Sequence, residues 1–253
     1  MAEFRIKIAG KTAAVTSLFD STRDYCRAYL TEEEPDFYIA VSREDLAFEQ
    51  EALRQEAIEE GLRIRLFTDP FLDRAAIQRK MAEQLLQHGV LLFHGSAVAL
   101  DGEGYVFTAD CGTGKSTHTR FWRQVFGHRA VMINDDKPFL KLTDAGVLVC
   151  GAPWSGKHGL DSNITVPLKG ICILRRGSEN RIRPATAGTT MAMLEKQSLP
   201  PRETADLPVY RSLVATLASQ CSLWEMECTK DPGAALVSQS AMQQGGAPCT
   251  ENV

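Results

Sequence analysis

Short alternating runs of hydrophobic and polar residues dominate the first third of the chain and predict strands between helices. FRIKI and DFYIAVS have the two-residue period of half-buried strands. Ser42 and Asp45 have the spacing of a capping box and predict the start of a helix. RIRLFTDP, residues 63–70, predicts a further strand, and residues 71–89 predict a long helix. We therefore expect a small N-terminal α/β unit over residues 1–88.

Beyond this unit the apolar runs become longer and more β-like. Residues 90–110 contain two such runs around the turn LDGEG, which predicts a hairpin. RAVMIN, PFLKL, GVLVCGAP and GICILRR predict further strands, and the C-terminal third is mostly helical around the strand SLWEMEC. Residues 89–253 are therefore predicted to form a mixed β-sheet flanked by helices, so the fold class is α/β.

Composition restricts the function classes. The 253 residues are 44% hydrophobic and 24% charged, with a net charge of −4, which gives no electrostatic footprint for nucleic acid or an anionic membrane. No apolar run approaches the ~20 residues that span a bilayer, and the N-terminus lacks the apolar block of a signal peptide. Seven cysteines without CxxC or CxxH spacing argue against a disulfide framework or a zinc site. We expect a cytoplasmic protein.

The segment ADCGTGKS, residues 109–116, lies between a predicted strand and a predicted helix. Glycines in such a loop let several backbone N–H groups point at a phosphate, and the positive end of the helix adds to the attraction. Lys115 would reach the β- and γ-phosphates of ATP, and the Ser116 hydroxyl would bind Mg²⁺. Ala109 stands where a first glycine is expected, and we expect it to tighten the loop without destroying it. The predicted nucleotide-binding residues are Cys111, Gly112, Thr113, Gly114, Lys115, Ser116 and Thr117.

Two acidic residues follow the apolar run VMIN, about 20 residues after Lys115. One carboxylate of the pair Asp135 and Asp136 can orient Mg²⁺, while the other accepts a proton from an attacking hydroxyl. The alternative is an ordinary surface turn, but the position downstream of the loop favours a functional pair. His94, where a strand meets a turn in FHGSAV, is by itself more typical of a structural histidine.

The stretch HGSAVALDGEGYVFTADCGTGKST followed by INDD resembles the catalytic core of HPr kinase/phosphorylase. It is similar, more distantly, to the nucleotide loop of ATP-dependent phosphoenolpyruvate carboxykinase. The resemblance covers roughly residues 90–140 and implies a P-loop kinase core of this type over residues 89–253. It also implies that His94 lies near the active centre, that Asp135 is the catalytic aspartate, and that Asp136 is its metal-side neighbour.

The chain departs from that family after the two aspartates. The family's Glu-x-Arg-Gly-rich signature is absent, and GAPWSGKHGLDSNITVPLKGICILRRG, residues 151–177, stands in its place. Within the loop, Ala109 and Cys111 replace the usual glycine and serine. The segment resembles HPr-kinase-related proteins found beside peptide-modification genes, some of which phosphorylate a peptide serine. This resemblance implies an acceptor other than HPr.

Four residues of the replacement segment are candidates for substrate contact. Lys157 can bind a phosphate and Trp154 can pack on a base or a substrate side chain. Arg175 and Arg176 can stabilise charge on the transferred phosphoryl group. The alternatives are a core position for Trp154 and a solvated turn for the two arginines.

Taken together, the residues favour an Mg²⁺- and ATP-dependent kinase that phosphorylates a hydroxyl, most of all a serine of a protein or peptide. A kinase for a sugar, polyol or amino acid on the same core is an alternative, and a nucleotide-sensing module without turnover is another. GTP and pyrophosphate remain open as phosphate donors. The N-terminal unit would recruit the acceptor, and the resemblance to oligomeric kinases implies a homo-oligomer.

Overall fold

The computed structural model describes residues 1–59, 61–110 and 112–244. Within it the chain divides into two units, Met1–Leu85 and Leu86–Val253. None of the helices in the described part is long and apolar enough to cross a bilayer.

The N-terminal unit is a small sheet with three helices. Its strands are β1 (Ala2–Ile8), β2 (Lys11–Ser17) and β3 (Phe37–Ala40), and its helices are α1 (Asp20–Tyr25), α2 (Arg43–Glu59) and α3 (Asp69–Leu86). Strand β2 lies between antiparallel β1 and parallel β3. One sheet face is buried and the other is open, because residues on a strand alternate between faces.

Sequence prediction in this unit was right about the cap and wrong about one strand. The backbone N–H of Ser42 donates to Asp45 Oδ2 at 2.9 Å, and that of Asp45 donates to Ser42 Oγ at 3.3 Å, which confirms the capping box. Residues 62–68 form no strand. Ile64 and Leu66 are exposed there, so the alternation in this segment does not reflect a buried face.

The second unit contains a nine-stranded mixed sheet among its described residues. Its strands are β4 (Val90–Leu92), β5 (Ser96–Leu100), β6 (Glu103–Thr108), β7 (Ala130–Asn134), β8 (Phe139–Thr143), β9 (Gly146–Cys150), β10 (Thr165–Arg176), β11 (Arg181–Pro184) and β12 (Leu223–Cys228). They are ordered β4-β8-β9-β10-β6-β5-β7, and β12 pairs with β10 and β11. The sheet curls because the long β10 pairs first with β9 and then with β12 along the same edge.

Helices cover both faces of this sheet. They are α4 (Lys115–Phe126), α5 (Ala187–Gln197), α6 (Leu207–Gln220) and α7 (Gly233–Gln244). One hydrophobic cluster joins Val106 and Ile171 to α5 and α6, while the other joins Phe107 and Cys172 to α4 and α7. Because neighbouring residues of one strand point to opposite faces, β6 and β10 contribute to both clusters. The predicted α/β class, with a mixed sheet between helices, is confirmed.

Candidate active site

The strand directions bring the predicted site residues to one edge of the sheet. Strand β5 is antiparallel to both β6 and β7, so β6 and β7 run in the same direction. The loop that follows β6, the two aspartates that follow β7 and the residues that precede β5 therefore meet at the same edge. Strand β10 is parallel to β6 and ends at this edge with its two arginines. Crevices at the carboxyl ends of such strands are the usual ligand sites of α/β sheets.

The glycine loop, residues 109–116, leads directly into α4. Gly112 has φ +72° and Gly114 has φ +126°, backbone angles that residues with a Cβ rarely adopt. Helix α4 begins at Lys115, and no described side chain caps its first turn. An uncapped helix N-terminus next to two such glycines is suited to binding an anion.

The alanine at the start of the loop fits the backbone there. In the described chain, the non-glycine residues with positive φ are Ala9 and Asp101, so Ala109 has an ordinary backbone conformation in which a Cβ is tolerated. Its carbonyl accepts a hydrogen bond from Lys115 Nζ at 3.2 Å. The neighbouring Asp110 accepts one from Lys196 Nζ at 2.6 Å, and this bond lowers the pKa of Asp110. Cys111 lies outside the described residues.

Asp135 is a buried carboxylate with a fixed orientation. Its side chain accepts a hydrogen bond at Oδ1 from Ser96 Oγ at 2.8 Å, and Ser96 in turn lies 2.8 Å from Thr119 Oγ1 on α4. The backbone N–H of Asp135 donates to the carbonyl of Leu160 at 3.1 Å. In the described part of the chain, no other side chain forms a hydrogen bond with this carboxylate. The second oxygen, Oδ2, is therefore available to a ligand.

Asn134 holds the turn that carries both aspartates. Its Oδ1 accepts from the backbone N–H groups of Asp136 and Lys137, at 2.8 and 2.7 Å. Its Nδ2 donates to the carbonyls of Ala152 and Trp154, at 2.8 and 3.1 Å. The fully buried amide thus ties the acidic turn to the start of the replacement segment. Sequence analysis missed this residue, although an asparagine at the end of an apolar strand was a signal for a turn.

Asp136 is half-buried and faces a histidine. His94 Nε2 lies 3.6 Å from Asp136 Oδ1, so the predicted histidine and the predicted metal-side aspartate are neighbours. The turn at Gly156 packs closely on the same side chain. A Cβ at Gly156 would lie 3.1 Å from the Cβ of Asp136, and the φ of +64° disfavours any other residue.

These elements enclose a cleft of about 580 Å³. The predicted residues that line it are His94, Gly112, Gly114, Lys115, Ser116, Thr117, Asp135, Asp136 and Lys157. Arg120, Arg123 and His158 line it as well, and sequence analysis missed them. The two arginines follow Ser116 by four and seven residues, which is the spacing of one helix face and the signal that was overlooked.

A smaller cavity of about 140 Å³ lies on the other side of the glycine loop. It is bounded by Thr113, Phe121 and Lys230 among others, and Arg176 also contributes to it. Arg176 Nη2 donates to the carbonyl of Gly112 at 2.6 Å, so this predicted arginine contacts the loop directly.

Two of the predicted substrate residues lie elsewhere. Trp154 is only 7% exposed and packs edge-on against Phe139, so its indole belongs to the core and does not line the cleft. Arg175 points to the side of β10 opposite to Arg176 and lies 3.8 Å from Glu225. Of the four predicted substrate residues, Lys157 therefore lines the cleft and Arg176 contacts the glycine loop.

Helix α4 also contains a buried histidine that stabilises the fold. His118 Nε2 lies 2.9 Å from Ser238 Oγ on α7 and accepts a hydrogen bond from Trp122 Nε1 at 3.3 Å. Burial lowers the pKa of His118 from 6.5 to about 4, because the charged ring loses its hydration. Protonation of Nε2 would also turn the acceptor into a donor facing the indole N–H.

We expect His118 to make stability fall as pH falls. Between pH 6.5 and 4 the unfolded chain binds a proton at this residue more readily than the folded chain. The free energy of unfolding should therefore drop by about 2 kcal/mol from pH 7 to pH 5 through this group. Urea denaturation of wild type and His118→Gln across this range measures the contribution of His118, as the difference between the two proteins in how steeply the free energy of unfolding changes with pH. The same change at exposed His128 is the control, and equal slopes for wild type and His118→Gln would contradict the prediction.

Comparison with known proteins gives distant structural similarity only. No protein-family model matches the sequence, and no curated protein matches it. The structure is similar to that of the HPr(Ser) kinase/phosphatase from Coxiella burnetii, with a TM-score of 0.36 and 9% sequence identity. The similarity covers 60% of this chain and 94% of that chain. Because it is distant, the function proposed below depends on the residues of the site.

Proposed function

We propose that the chain is a kinase that transfers the γ-phosphoryl group of ATP to a hydroxyl group, above all the hydroxyl of a serine in a protein or peptide. The observation that supports this most is the meeting of three features in one cleft. They are a glycine loop at an uncapped helix N-terminus, the pair Lys115 and Ser116, and a buried carboxylate at Asp135. A phosphate site beside a fixed base is what phosphoryl transfer to a hydroxyl requires.

The glycine loop and Lys115 would hold the phosphates of the donor. Backbone N–H groups at the start of α4 offer hydrogen bonds to the phosphate oxygens, and the Lys115 ammonium adds a positive charge. The smaller cavity beside Thr113 and Phe121 adjoins the same loop, on the side where the nucleoside end of the donor would lie.

The residues present fit Mg²⁺ as the metal. The Ser116 hydroxyl and the Asp136 carboxylate are hard oxygen donors and line the same cleft. No group of three or more histidine, cysteine or acidic side chains that could hold a metal ion occurs in the described part of the chain. This suits Mg²⁺, which is usually bound by one or two protein oxygens together with substrate phosphates and water. When bound, it neutralises charge on the β- and γ-phosphates.

Asp135 would act as the general base. Its Oδ2 takes the proton of the acceptor hydroxyl as the hydroxyl oxygen bonds to the γ-phosphorus. The bond from that phosphorus to the bridging oxygen breaks, and ADP leaves. Ser96 and Asn134 are positioning residues, because one orients the carboxylate and the other holds its turn. His94 lies close enough to Asp136 to orient that carboxylate.

The N-terminal unit would recruit the acceptor. In support, the open face of its sheet forms a groove of about 600 Å³, bordered by Arg5, Thr16 and Tyr38. Tyr38 is 77% exposed, and exposed tyrosines are common in protein interfaces.

Transfer of label from [γ-³²P]ATP tests the proposal directly. We expect Mg²⁺-dependent labelling of a serine-containing protein or peptide and none with the Asp135→Asn variant. Parallel reactions with sugars, polyols and free amino acids test the small-molecule alternative. Thermal stabilisation by ATP–Mg²⁺ without label transfer to any acceptor would instead favour a nucleotide-sensing module.

A further inference from the structure

The cleft contains more positive charge than the proposed reaction uses. Besides Lys115, it is lined by Arg120, Arg123, Lys157 and His158. These four side chains have no acidic ion-pair partner in the parts of the chain described, residues 1–59, 61–110 and 112–244.

Several arginines elsewhere in the chain form ion pairs with acidic side chains. Arg79 binds Glu49 at 2.6 Å, Arg183 binds Glu225 at 2.9 Å, and Arg129 is paired with an aspartate as well. The chain as a whole carries a net charge of −4. Lys115, Arg120, Arg123 and Lys157 line one cleft together with the carboxylates of Asp135 and Asp136, so cations outnumber anions there although the chain as a whole is acidic. Such a cleft stabilises negative charge from outside.

Arg120 and Arg123 lie further along α4 than the residues that would hold the donor phosphates. Arg120 and Arg123 follow Lys115 by five and eight residues, which places them about 7.5 and 12 Å further along the helix axis. Helical side chains lean towards the N-terminus, so both guanidinium groups reach back towards the cleft. They extend the positive surface from the glycine loop into the part of the cleft beyond it.

Positive charge also comes from a second element. The turn Gly156–His158 packs against Asp136 through Gly156, and it brings Lys157 and His158 into the same cleft. The cations therefore come from α4 and from this turn, and the same cleft contains the base Asp135. A charged surface spread over two elements suits several negative groups along a chain better than one small anion.

We propose that the acceptor is an acidic peptide segment, in which carboxylate side chains flank the serine that is phosphorylated. Arg120 and Arg123 bind these carboxylates through bidentate hydrogen bonds, and Lys157 binds them as a point charge. This inference rests on the proposed kinase function and specifies the acceptor that the same cleft would bind.

Peptide binding in the presence of saturating ADP–Mg²⁺ tests this inference without requiring turnover. The probe is an acetylated, amidated, fluorescein-labelled peptide with a central serine and three glutamates on each side. Its counterparts carry glutamine or lysine in place of glutamate. Fluorescence anisotropy should show that only the glutamate peptide binds, and that its affinity falls as salt is raised.

Matched double variants locate the binding surface. Arg120→Gln with Arg123→Gln should weaken binding of the glutamate peptide by about tenfold or more, because charge-assisted contacts are lost. Arg63→Gln with Arg211→Gln is the control, since it removes the same charge from exposed positions outside the cleft. Lys157→Gln, on a different element, should weaken binding as well.

Three results would overturn the inference. They are equal binding of the glutamate and glutamine peptides, equal losses in the two double variants, and tighter peptide binding in a parallel titration without ADP–Mg²⁺ than in its presence. The last result would assign the arginines to the nucleotide. The kinase proposal fails separately, by an absence of stabilisation by ATP–Mg²⁺ or of label transfer, so the two failures are distinguishable.

Discussion

Asp135→Asn is expected to lower turnover by about 10²–10⁴-fold, the usual contribution of a general base, while ATP–Mg²⁺ affinity stays close to wild type. The substitution keeps the size of the side chain and an oxygen that can accept the hydrogen bond from Ser96. It replaces the anionic carboxylate by a neutral amide, which cannot take a proton. Steady-state kinetics with ATP and a phosphate acceptor measure turnover, and titration of ATP–Mg²⁺ measures affinity.

Asp136→Asn is the matched control because it makes the same chemical change at the adjacent residue. Asp136 is half-buried beside His94, and its proposed role is to bind the metal. Losing that carboxylate should weaken Mg²⁺-dependent nucleotide binding as well as turnover. If Asp135→Asn keeps full turnover and both variants show the same metal defect, the assignment of the two roles is wrong.

The local parts of the site were predictable because each one is encoded in a few consecutive residues. The glycines of the loop, the helix start at Lys115 and the acidic pair after an apolar run all have short-range signatures. Their convergence on one sheet edge depends on β5, which places β6 and β7 in the same direction. That strand order is a long-range property, which no short stretch of the sequence encodes.

The contacts that fix the Asp135 carboxylate were not predictable in the same way. Ser96 precedes Asp135 by 39 residues in the chain, and the two side chains meet only in the folded sheet. Asn134 donates to the backbone carbonyls of Ala152 and Trp154, which lie 18 and 20 residues further along the chain, beyond strands β8 and β9. No periodicity or spacing within a sequence window encodes such partners.

Side-chain direction explains why Arg175 and Trp154, which the sequence predicted to contact the substrate, do not line the cleft. The neighbours Arg175 and Arg176 point to opposite faces of β10, so Arg176 donates a hydrogen bond to Gly112 of the glycine loop while Arg175 lies beside Glu225. The indole of Trp154 fills space next to Phe139, as a large apolar ring does when the core has room for it.

Two errors in the fold have a similar origin. Strand β2, with the sequence KTAAVTS, was missed because its small side chains give a weak hydrophobic alternation. The segment RIRLFTDP has a strong alternation but no partner strand, and Leu66 within it is 91% exposed. Alternation predicts a strand only where a neighbouring strand is present to pair with it.

Lys115→Ala is expected to abolish most of the stabilisation that ATP–Mg²⁺ gives to the protein. At a ligand concentration of 100 times Kd, binding stabilises the folded state by about 2.7 kcal/mol, which raises Tm by about 5–10 °C for a unit of this size. Lys115 supplies a positive charge where the glycine loop enters α4, and its Nζ lies 3.2 Å from the loop carbonyl of Ala109. The alanine variant should show little or no shift at the same ATP–Mg²⁺ concentration.

Differential scanning fluorimetry with and without ATP–Mg²⁺ measures this shift, and Lys157→Ala is the control within the same cleft. Loss of the Lys115 hydrogen bond should cost the unliganded protein only about 0.5–1.5 kcal/mol, so both variants remain folded at the start of the scan. Lys157 belongs to the turn that we assign to the acceptor, and its removal should leave the nucleotide shift close to wild type. A normal shift in Lys115→Ala would refute the phosphate-binding role of the glycine loop. If only Lys157→Ala loses the shift, the donor phosphates bind at the Gly156–His158 turn instead. A cation contributes to the binding energy of the nucleotide only when it contacts the nucleotide.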